Sequence, residues 1–214
     1  MSLFRLDSSI RTEGSVSREV TDTLEKAYLE QHPGGTVVRR DLGTAPLPAD
    51  LWGVAAFAGY VPEDQRSEAQ RAAVTQVTEL ADELLRADAI VVGSPLYNFG
   101  ISQHLKAWVD VVITDPRFAP GTSPLAGRSV AIVVARGGGY GPGTPRAGWD
   151  HGIQWLSRIL GDVWGGTVTV VEAELTLAES TPAMAELRGL AAEVRAQAHE
   201  QAAATGKEFA RSAA

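Results

Sequence analysis

The sequence predicts an α/β fold in which helices cover both faces of a parallel β-sheet. Two nearly continuous apolar runs, residues 89–93 and 129–134, are typical of strands that are buried on both faces. Candidate strands and helices alternate along the chain, an order that favours parallel strands joined by helical crossovers. The length of 214 residues and the hydrophobic content of 44% are sufficient for one substantial core. We therefore expect a single domain over residues 1–214.

Five segments are predicted to form strands, because each is short and rich in apolar or β-branched residues. They cover residues 3–6, 36–39, 89–93, 129–134 and 167–171. Segment 41–62 contains Pro46 and Pro48 and is expected to be irregular. Segment 116–127 is rich in proline and glycine and is expected to be a loop.

Helices are predicted where apolar residues recur three and four positions apart. The first three cover roughly residues 15–32, 63–86 and 102–114. Thr144-Pro145 and Thr181-Pro182 each place a capping residue before a proline, an arrangement that opens helices. A fourth helix is therefore expected from Thr144. A C-terminal helix is expected from Thr181 to about residue 204, with a frayed tail beyond it.

The composition excludes several classes of function. Because cysteine is absent, disulfide scaffolds, thiolate zinc sites and cysteine nucleophiles are excluded. The formal net charge of -7 argues against a basic nucleic-acid groove. The longest apolar runs are shorter than the roughly 18 residues of a membrane span, and residues 1–11 lack the apolar stretch of a secretory signal. We expect a cytoplasmic protein that binds neither nucleic acid nor a membrane.

Three loops of unusual composition follow the first, third and fourth predicted strands, at the edge where parallel sheets bind ligands. Loop 7–17 carries serines at a helix start, whose hydroxyl and N–H groups suit a phosphate but would equally cap the helix. Loop 94–100 places aromatic residues on both sides of Asn98, which suits a planar ligand or a turn packed on the core. Loop 136–143 is rich in glycine, so its backbone can approach a flat ring closely, although many ordinary loops share this composition.

Other binding motifs are missing or incomplete. Loop 136–143 fails the G-x-G-x-x-G dinucleotide pattern because Pro142 fills the last required position, and it follows the fourth strand rather than the first. The chain has no G-x-x-x-x-G-K-[ST] motif, and segment 121–125 lacks the second glycine of a nucleophile elbow. No metal site is expected, because ligand spacing is absent from the histidines, His32, His104, His151 and His199.

Together the three loops resemble those of the FMN-dependent NADH:azoreductases, which belong to the flavodoxin-like NAD(P)H:quinone oxidoreductases. The most specific motif is Pro-Leu-Tyr-Asn-Phe at residues 95–99, and the resemblance extends over essentially the whole chain. It implies a flavodoxin-like three-layer sandwich with five parallel strands in the order 2-1-3-4-5 and FMN bound where that order reverses. It also implies a homodimer with two active sites at the interface.

The resemblance implies a role for each matching residue. The FMN phosphate would be held by Ser9, Ser15, Val16 and Ser17. The ribityl chain and the isoalloxazine ring would be lined by Pro95, Leu96, Tyr97, Asn98 and Phe99. The pyrimidine end of the ring would be approached by Ala135, Arg136, Gly137 and Gly138. No catalytic side chain is implied, since FMN carries the chemistry, and Tyr140 is either a pocket wall or proton donor, or a loop residue that faces solvent.

The implied activity is a ping-pong transfer of two electrons from NADH or NADPH, through FMN, to a quinone, an azo compound or a nitroaromatic. Two alternatives stay open: a biosynthetic flavin reductase for one specialised metabolite, and a flavodoxin-like electron carrier or binding module without turnover. The sequence departs from the family pattern at Leu96, Ala135 and Asp162, where methionine, serine and an aromatic residue are common. Segments 41–62 and 116–127 also differ, and in that family these regions and the position of Asp162 shape the substrate side. The resemblance therefore specifies the cofactor better than the acceptor.

Overall fold

The computed structural model describes residues 1–212 and contains one parallel sheet. Its strands are β1 Ser2–Asp7, β2 Thr36–Asp41, β3 Ala89–Pro95, β4 Ser129–Ala135 and β5 Thr167–Ala173. They pair in the order β2-β1-β3-β4-β5, and every neighbouring pair is parallel. The predicted fold class and strand order are therefore confirmed.

Helices cover both faces of the sheet. They are α1 Val16–Gln31, α2 Leu51–Ala58, α3 Glu68–Leu85, α4 Gln103–Val112, α5 Gly152–Ser157 and α6 Arg188–Ser212. One face of the sheet buries Leu3, Val91 and Val133 in a core that includes residues of α1 and α6. The other face buries Ile90 and Val92 in a core with residues of α2, α3, α4 and α5. Consecutive residues of β3 thus enter different cores, which is why residues 89–93 of this strand are all apolar or glycine.

The register of the sheet brings the carboxyl ends of the strands to one edge. Asp7, the last residue of β1, lies opposite Asp41 of β2 on one side and Gly93 of β3 on the other. The chain runs from β1 to β2 on one side and then crosses to β3 on the other. Open α/β sheets bind ligands beyond the strand ends at such a reversal.

The sequence predicts an irregular segment 41–62, but this prediction is wrong for part of it, because the segment contains α2. Leu51 and Ala55 of this helix are buried in the core shared with α3 and α4, and Ala58 is also buried. This helix has only two turns and follows two prolines, so its apolar residues are too few to give a clear helical periodicity. Downstream, the predicted helix 63–86 begins later, at α3, where Ser67 and Gln70 form a capping box.

The fourth helix does not begin at Thr144. Residues 144–149 form consecutive turns, with Gly148 at φ +79°, a left-handed conformation that ends any helix there. Asp150 opens α5 instead, because its carboxylate Oδ1 accepts hydrogen bonds from the N–H groups of Gly152 (2.7 Å) and Ile153 (3.0 Å). The helix then continues as a π-helical segment, Arg158–Val163.

The C-terminal helix differs from its prediction at both ends. Thr181-Pro182 opens a short 3₁₀ segment, Pro182–Leu187, and α6 follows it. The predicted fraying beyond residue 204 does not occur over residues 205–212, because Phe209 and Ala210 are buried in the core beside α1, and residues 213–214 lie outside the described part of the chain. The imidazole Nε2 of His32 also lies 2.7 Å from the carbonyl oxygen of Ala210.

Candidate functional site

The three loops singled out by composition meet at the carboxyl edge of β1, β3 and β4. A cavity of about 170 Å³ opens between them. It is lined by residues of all three loops and of the segment after β5: Ser9, Arg11, Gly14, Ser15, Val16, Ser17, Pro95, Leu96, Tyr97, Ala135, Gly137, Thr176 and Leu177. Most of the residues expected to hold a cofactor are therefore brought together. Asn98, Phe99, Arg136 and Gly138 adjoin this cavity in the chain but do not line it.

The serine loop leaves its polar groups available instead of capping α1. Ser15 occupies the N-cap position, but its side chain makes no capping bond, and its Oγ lies 3.2 Å from the Oγ of Ser17. The first N–H groups of a helix have no partner within the helix. Among residues 1–212, no side chain accepts a hydrogen bond from the N–H groups of Val16 or Ser17. Free N–H groups and hydroxyls at a helix start are the groups that bind a phosphate.

Arg18 fixes this loop from behind. Its guanidinium donates to the carbonyl oxygens of Ser9 (2.8 Å) and Arg11 (2.9 Å), and it forms a bidentate pair with Asp41 at 2.7 Å for each bond. Asp41 also accepts a hydrogen bond from the N–H of Gly43 at 2.9 Å. A side chain on Gly43 would collide with the Ser9 carbonyl, so the loops after β1 and β2 pack directly on each other. The loop is therefore ordered by the protein alone.

The two carboxylates next to Arg18 have pKa values shifted in opposite directions. For Asp41, burial alone would raise the pKa, but the hydrogen bonds from Arg18 outweigh it and hold the pKa below its ordinary value. For Asp7, which lies at the end of the interior strand β1, burial raises the pKa of the carboxyl despite its pair with Arg5 at 2.8 Å. Deep burial therefore dominates at Asp7 and ion pairing at Asp41.

The Tyr97 loop turns back on itself after β3. Tyr97 and Gly100 exchange two backbone hydrogen bonds of 2.9 Å, and between them Asn98 (φ 48°) and Phe99 (φ 68°) adopt left-handed conformations. Two consecutive residues of this kind store strain that is common at functional sites. The alternative of a turn packed on the core does not hold, because Phe99 is 39% exposed. The Tyr97 hydroxyl approaches the first loop and lies 3.3 Å from the Ile10 nitrogen.

The glycine-rich loop is held through its carbonyl groups. The carbonyl oxygens of Gly137 and Gly138 accept hydrogen bonds of 3.2 Å from the N–H groups of Leu177 and Leu175. Their own N–H groups have no acceptor among the residues that the structure describes. A Cβ atom on Gly137 would lie 2.7 Å from Cδ1 of Leu177, so the side chain of Leu177 packs directly on this glycine. The loop thus offers unpaired donors beside the cavity.

Arg136 anchors the same loop with its side chain, which is buried. The guanidinium forms ion pairs with Asp150 (2.6 Å), Glu172 (2.9 Å) and Glu174 (2.6 Å). These three carboxylates occupy its charge, and Arg136 itself does not line the cavity. Tyr140 is half-buried, and its N–H donates to Glu174 at 2.9 Å.

A larger, open groove of about 840 Å³ lies on the other side of the Tyr97 loop. It shares Leu96 and Tyr97 with the small cavity, and it continues past Asn98 toward His104 of α4 and Trp155 of α5. The site therefore has a narrow polar end at the serines and a wide end over α4 and α5.

Comparisons with known proteins agree with this geometry. The pattern of a protein family described as having a flavodoxin-like fold matches residues 1–199. An FMN-dependent NADH:quinone oxidoreductase of Streptomyces avermitilis is 41% identical over 210 residues, which cover 97% of this chain and 96% of that protein. This chain belongs to the same flavodoxin-like family. The resemblance predicted from the loops is confirmed.

Two further known proteins extend the comparison. A protein of Streptomyces coelicolor, also named an FMN-dependent NADH:quinone oxidoreductase, is 39% identical over 211 residues, or 97% of this chain and 94% of that protein. The crystal structure of an azoreductase from Bacillus anthracis has a TM-score of 0.78 at 23% identity, over 97% of this chain and 99% of that one. This last likeness shows a shared fold.

Several residues of this flavodoxin-like site were missed in the sequence. Thr176 and Leu177 line the cavity from the segment after β5, which the sequence analysis did not consider. A signal existed, because all parallel strands end at one edge and the fifth loop must lie there too. Arg11 lies over Gly14, and its Nη2 is 4.0 Å from where a Cβ of that glycine would be. Within residues 1–212, no group of three or more histidine, aspartate or glutamate side chains is arranged to hold a metal ion, and no helix is long and apolar enough to cross a membrane.

Proposed function

We propose that this protein is an FMN-dependent oxidoreductase that transfers two electrons from NADH or NADPH to quinones, azo compounds or related electron-poor aromatics. The observation that carries the proposal is the cavity at the end of β1, β3 and β4, which offers phosphate-binding groups at one end and unpaired glycine N–H groups at the other. Family membership supports it, because the relative from Streptomyces avermitilis is named an FMN-dependent NADH:quinone oxidoreductase.

The serine loop would bind the phosphate of FMN. Ser15 and Ser17 supply hydroxyls, Val16 and Ser17 supply free N–H groups, and Ser9 lines the same cavity. Arg11 is placed to add a positive charge. This assignment fits the buried, unpaired donors of the loop, since an anion there gains hydrogen bonds that the protein itself does not satisfy.

The second and third loops would bind the flavin ring. Pro95, Leu96 and Tyr97 line the cavity, and with Asn98 and Phe99, which follow them, they would form one wall. The backbone from Ala135 to Gly138 would form the pyrimidine end. When bound, FMN supplies the two-electron chemistry, first with the nicotinamide and then with the acceptor. The N–H groups of Gly137 and Gly138 would stabilise negative charge on the reduced ring.

The protein would mainly orient the reactants and exclude water. No side-chain acid or base is required, and Tyr140 is proposed as a wall of the pocket, where its hydroxyl can donate a proton. Its position is fixed by the hydrogen bond from its N–H to Glu174. The observed geometry offers no specific support for a dedicated biosynthetic reductase or for a carrier, since Asp162 forms only an exposed pair with Arg158.

We also propose that the protein acts as a homodimer. Trp52, Phe57 and Tyr60 are large aromatic residues exposed on α2 and directly after it. A patch of this kind is uncommon on monomers and marks an interaction surface. Light scattering should give twice the chain mass of 22.6 kDa, and Phe57→Asp should give the monomer mass. A monomeric wild-type protein would contradict this part of the proposal.

The chain would act as a single domain over residues 1–214 in the cytoplasm. Its one sheet uses strands from Ser2 to Ala173, and α6 packs back against α1 in the same core. Reduced nicotinamide nucleotides, the proposed electron donors, are supplied in the cytoplasm.

Steady-state kinetics of the FMN-loaded protein tests the proposed function. We expect oxidation of NADH that depends on 2-methyl-1,4-naphthoquinone, with parallel double-reciprocal plots. Replacing both Ser15 and Ser17 by alanine should weaken FMN binding roughly tenfold or more, because charged hydrogen bonds are lost. Ser212→Ala, at an exposed serine bonded only to Glu208, is the matched control. Absence of quinone-dependent NADH oxidation in the wild type would overturn the proposal.

A further inference from the structure

Three aromatic rings form a partly exposed surface between the second and third loops, which we name the aromatic platform: Phe99, Tyr140 and Trp149. The Phe99 ring centre lies 5.4 Å from that of Trp149 and 6.5 Å from that of Tyr140. Phe99 is 39% exposed and Trp149 is 51% exposed. The platform joins the two loops that are proposed to flank the flavin ring, so a second planar molecule bound beside the flavin would meet it.

The platform is held in place by backbone contacts. Phe99 has a left-handed φ of 68°, and its carbonyl oxygen accepts a hydrogen bond of 2.9 Å from the N–H of His151. The N–H of Trp149 donates to the carbonyl oxygen of Arg146 at 3.1 Å within a tight turn. An aromatic residue kept exposed by a strained backbone points to a role outside packing.

Two arginines lie over the Tyr140 ring but have different surroundings. The guanidinium carbons of Arg136 and Arg146 lie 5.8 Å and 5.9 Å from the ring centre. Arg136 is buried and paired with three carboxylates. Arg146 is exposed, and among the residues that the structure describes it has no carboxylate within ion-pair distance. Its Nη1 lies 2.5 Å from where a Cβ of Gly138 would be, so it reaches the glycine-rich loop.

Arg136 is paired with three carboxylates, whereas Arg146 has no carboxylate partner among the described residues, so Arg146 is available to bind an anionic ligand. The carboxylates beside the platform, Asp150, Glu172 and Glu174, are bonded to Arg136, and the protein as a whole carries a charge of -7. A negatively charged molecule is therefore repelled by the overall field. An unpaired arginine beside exposed aromatic rings offsets this repulsion locally and adds charged hydrogen bonds. The stacking surface selects flat rings.

We propose that Arg146 and the aromatic platform form an acceptor subsite that favours planar aromatic acceptors carrying a carboxylate or sulfonate group. This inference rests on the proposed function and deepens it by naming the charge of the preferred acceptor. The balance of the reaction is unchanged: NADH, one proton and a quinone give NAD⁺ and the hydroquinone. Arg146 acts on the binding of the acceptor and takes no part in the transfer of electrons or protons.

The test compares two acceptors, 1,4-naphthoquinone-2-sulfonate and the neutral 2-methyl-1,4-naphthoquinone. For each protein the kcat/KM for the sulfonate is divided by that for the neutral quinone, and only changes in this ratio between proteins count, so differences in reduction potential cancel. Arg146→Gln should lower the ratio about tenfold, mainly through the KM for the sulfonate. Arg146→Lys should restore part of it, and added salt should lower the wild-type ratio.

Arg86→Gln is the matched control, because Arg86 is also exposed and lies at the end of α3, at the opposite edge of the sheet. It should leave the ratio unchanged. An unchanged ratio in Arg146→Gln would overturn the inference, as would a loss that appears in the KM for NADH instead. If the wild type reduces the neutral quinone but shows no effect of Arg146, only this inference fails. If the wild type reduces neither quinone, the proposed function fails.

Discussion

At the end of β1, the serine loop is fixed by a partly buried ion pair, whereas the glycine-rich loop after β4 leads into exposed aromatic rings. Arg18 bonds the first loop to Asp41 and to two carbonyl groups. In contrast, residues 144–149 form turns in which Trp149 is 51% exposed. This difference indicates that the serine end of the site is ordered before a ligand binds and suits an invariant phosphate group. The end at Trp149 stays open and can accommodate acceptors of different shapes.

Glycine-to-alanine substitutions at the two ends are expected to give the largest difference in the free energy of unfolding. Gly43→Ala places a methyl group against the Ser9 carbonyl and should destabilise the protein by about 3 kcal/mol and abolish FMN binding. Gly141→Ala meets no atom within 4 Å and should change the free energy of unfolding by less than about 0.5 kcal/mol. Urea unfolding of both variants checks this. Equal stabilities would contradict the contrast.

Replacing Arg18, which holds the serine loop, should weaken FMN binding without changing the structure of the open end of the site. Arg18→Gln removes the guanidinium that bonds the Ser9 and Arg11 carbonyls and pairs with Asp41, so we expect the Kd for FMN to rise roughly tenfold to a hundredfold. Arg18→Lys should recover little, since lysine cannot form the bidentate pair. Fluorescence titration with FMN measures this, with Arg86→Gln as control. An unchanged Kd would show that the loop orders itself without Arg18.

The two carboxylates beside Arg18 should give pH dependences of opposite sign. The lowered pKa of Asp41 contributes stability above the ordinary aspartate value of 3.8, and this contribution is lost as the pH falls through the folded-state pKa. The raised pKa of Asp7 contributes stability below 3.8, which is lost as the pH rises through its folded-state pKa.

Urea unfolding of the wild type, Asp41→Asn and Asp7→Asn between about pH 3 and 7 tests these signs. The stability difference between the wild type and Asp41→Asn should grow as the pH rises from the acid end. The difference between the wild type and Asp7→Asn should shrink over the same range. Parallel curves for the two variants would contradict the assignment of burial to one carboxylate and ion pairing to the other.

The smallest effect on stability is expected at the open end. Trp149→Ala removes a half-exposed ring and should change the free energy of unfolding by less than about 0.5 kcal/mol. Loss of the aromatic contact should raise the KM for a quinone acceptor about threefold to tenfold. The Kd for FMN, measured in parallel, should stay at the wild-type value. A Trp149→Ala protein that loses FMN would show that the two ends are not separable.

The sequence predicted the rigid parts of the molecule better than the open ones. Strands β3 and β4 were predictable because burial on both faces removes polar residues from the run. The serine loop was predictable because it lies at the start of a long amphipathic helix. The prediction of a helix from Thr144 was wrong, although Thr144-Pro145 fits the local pattern of a helix start. The left-handed conformation of Gly148 prevents a helix there, and the carboxylate of Asp150 caps a helix that begins at Gly152.

Contacts between distant residues were beyond a reading of local patterns. Arg18 and Asp41 are 23 positions apart, and their pairing depends on the register of β1 and β2. Leu177 packs on Gly137 only because β4 and β5 are neighbours in the sheet. Local spacing therefore indicated which loops matter, and the sheet decided which side chains complete the site.

The visible absorption spectrum tests the central claim most directly. The purified protein would be mixed with FMN, desalted, and then treated under anaerobic conditions with NADH and afterwards with 2-methyl-1,4-naphthoquinone. We predict that bands near about 370 and 450 nm survive desalting, bleach with NADH and return with the quinone. A protein that retains no flavin would contradict the assignment of the cavity to FMN. Retained bands that do not bleach with NADH would contradict the proposed reductase.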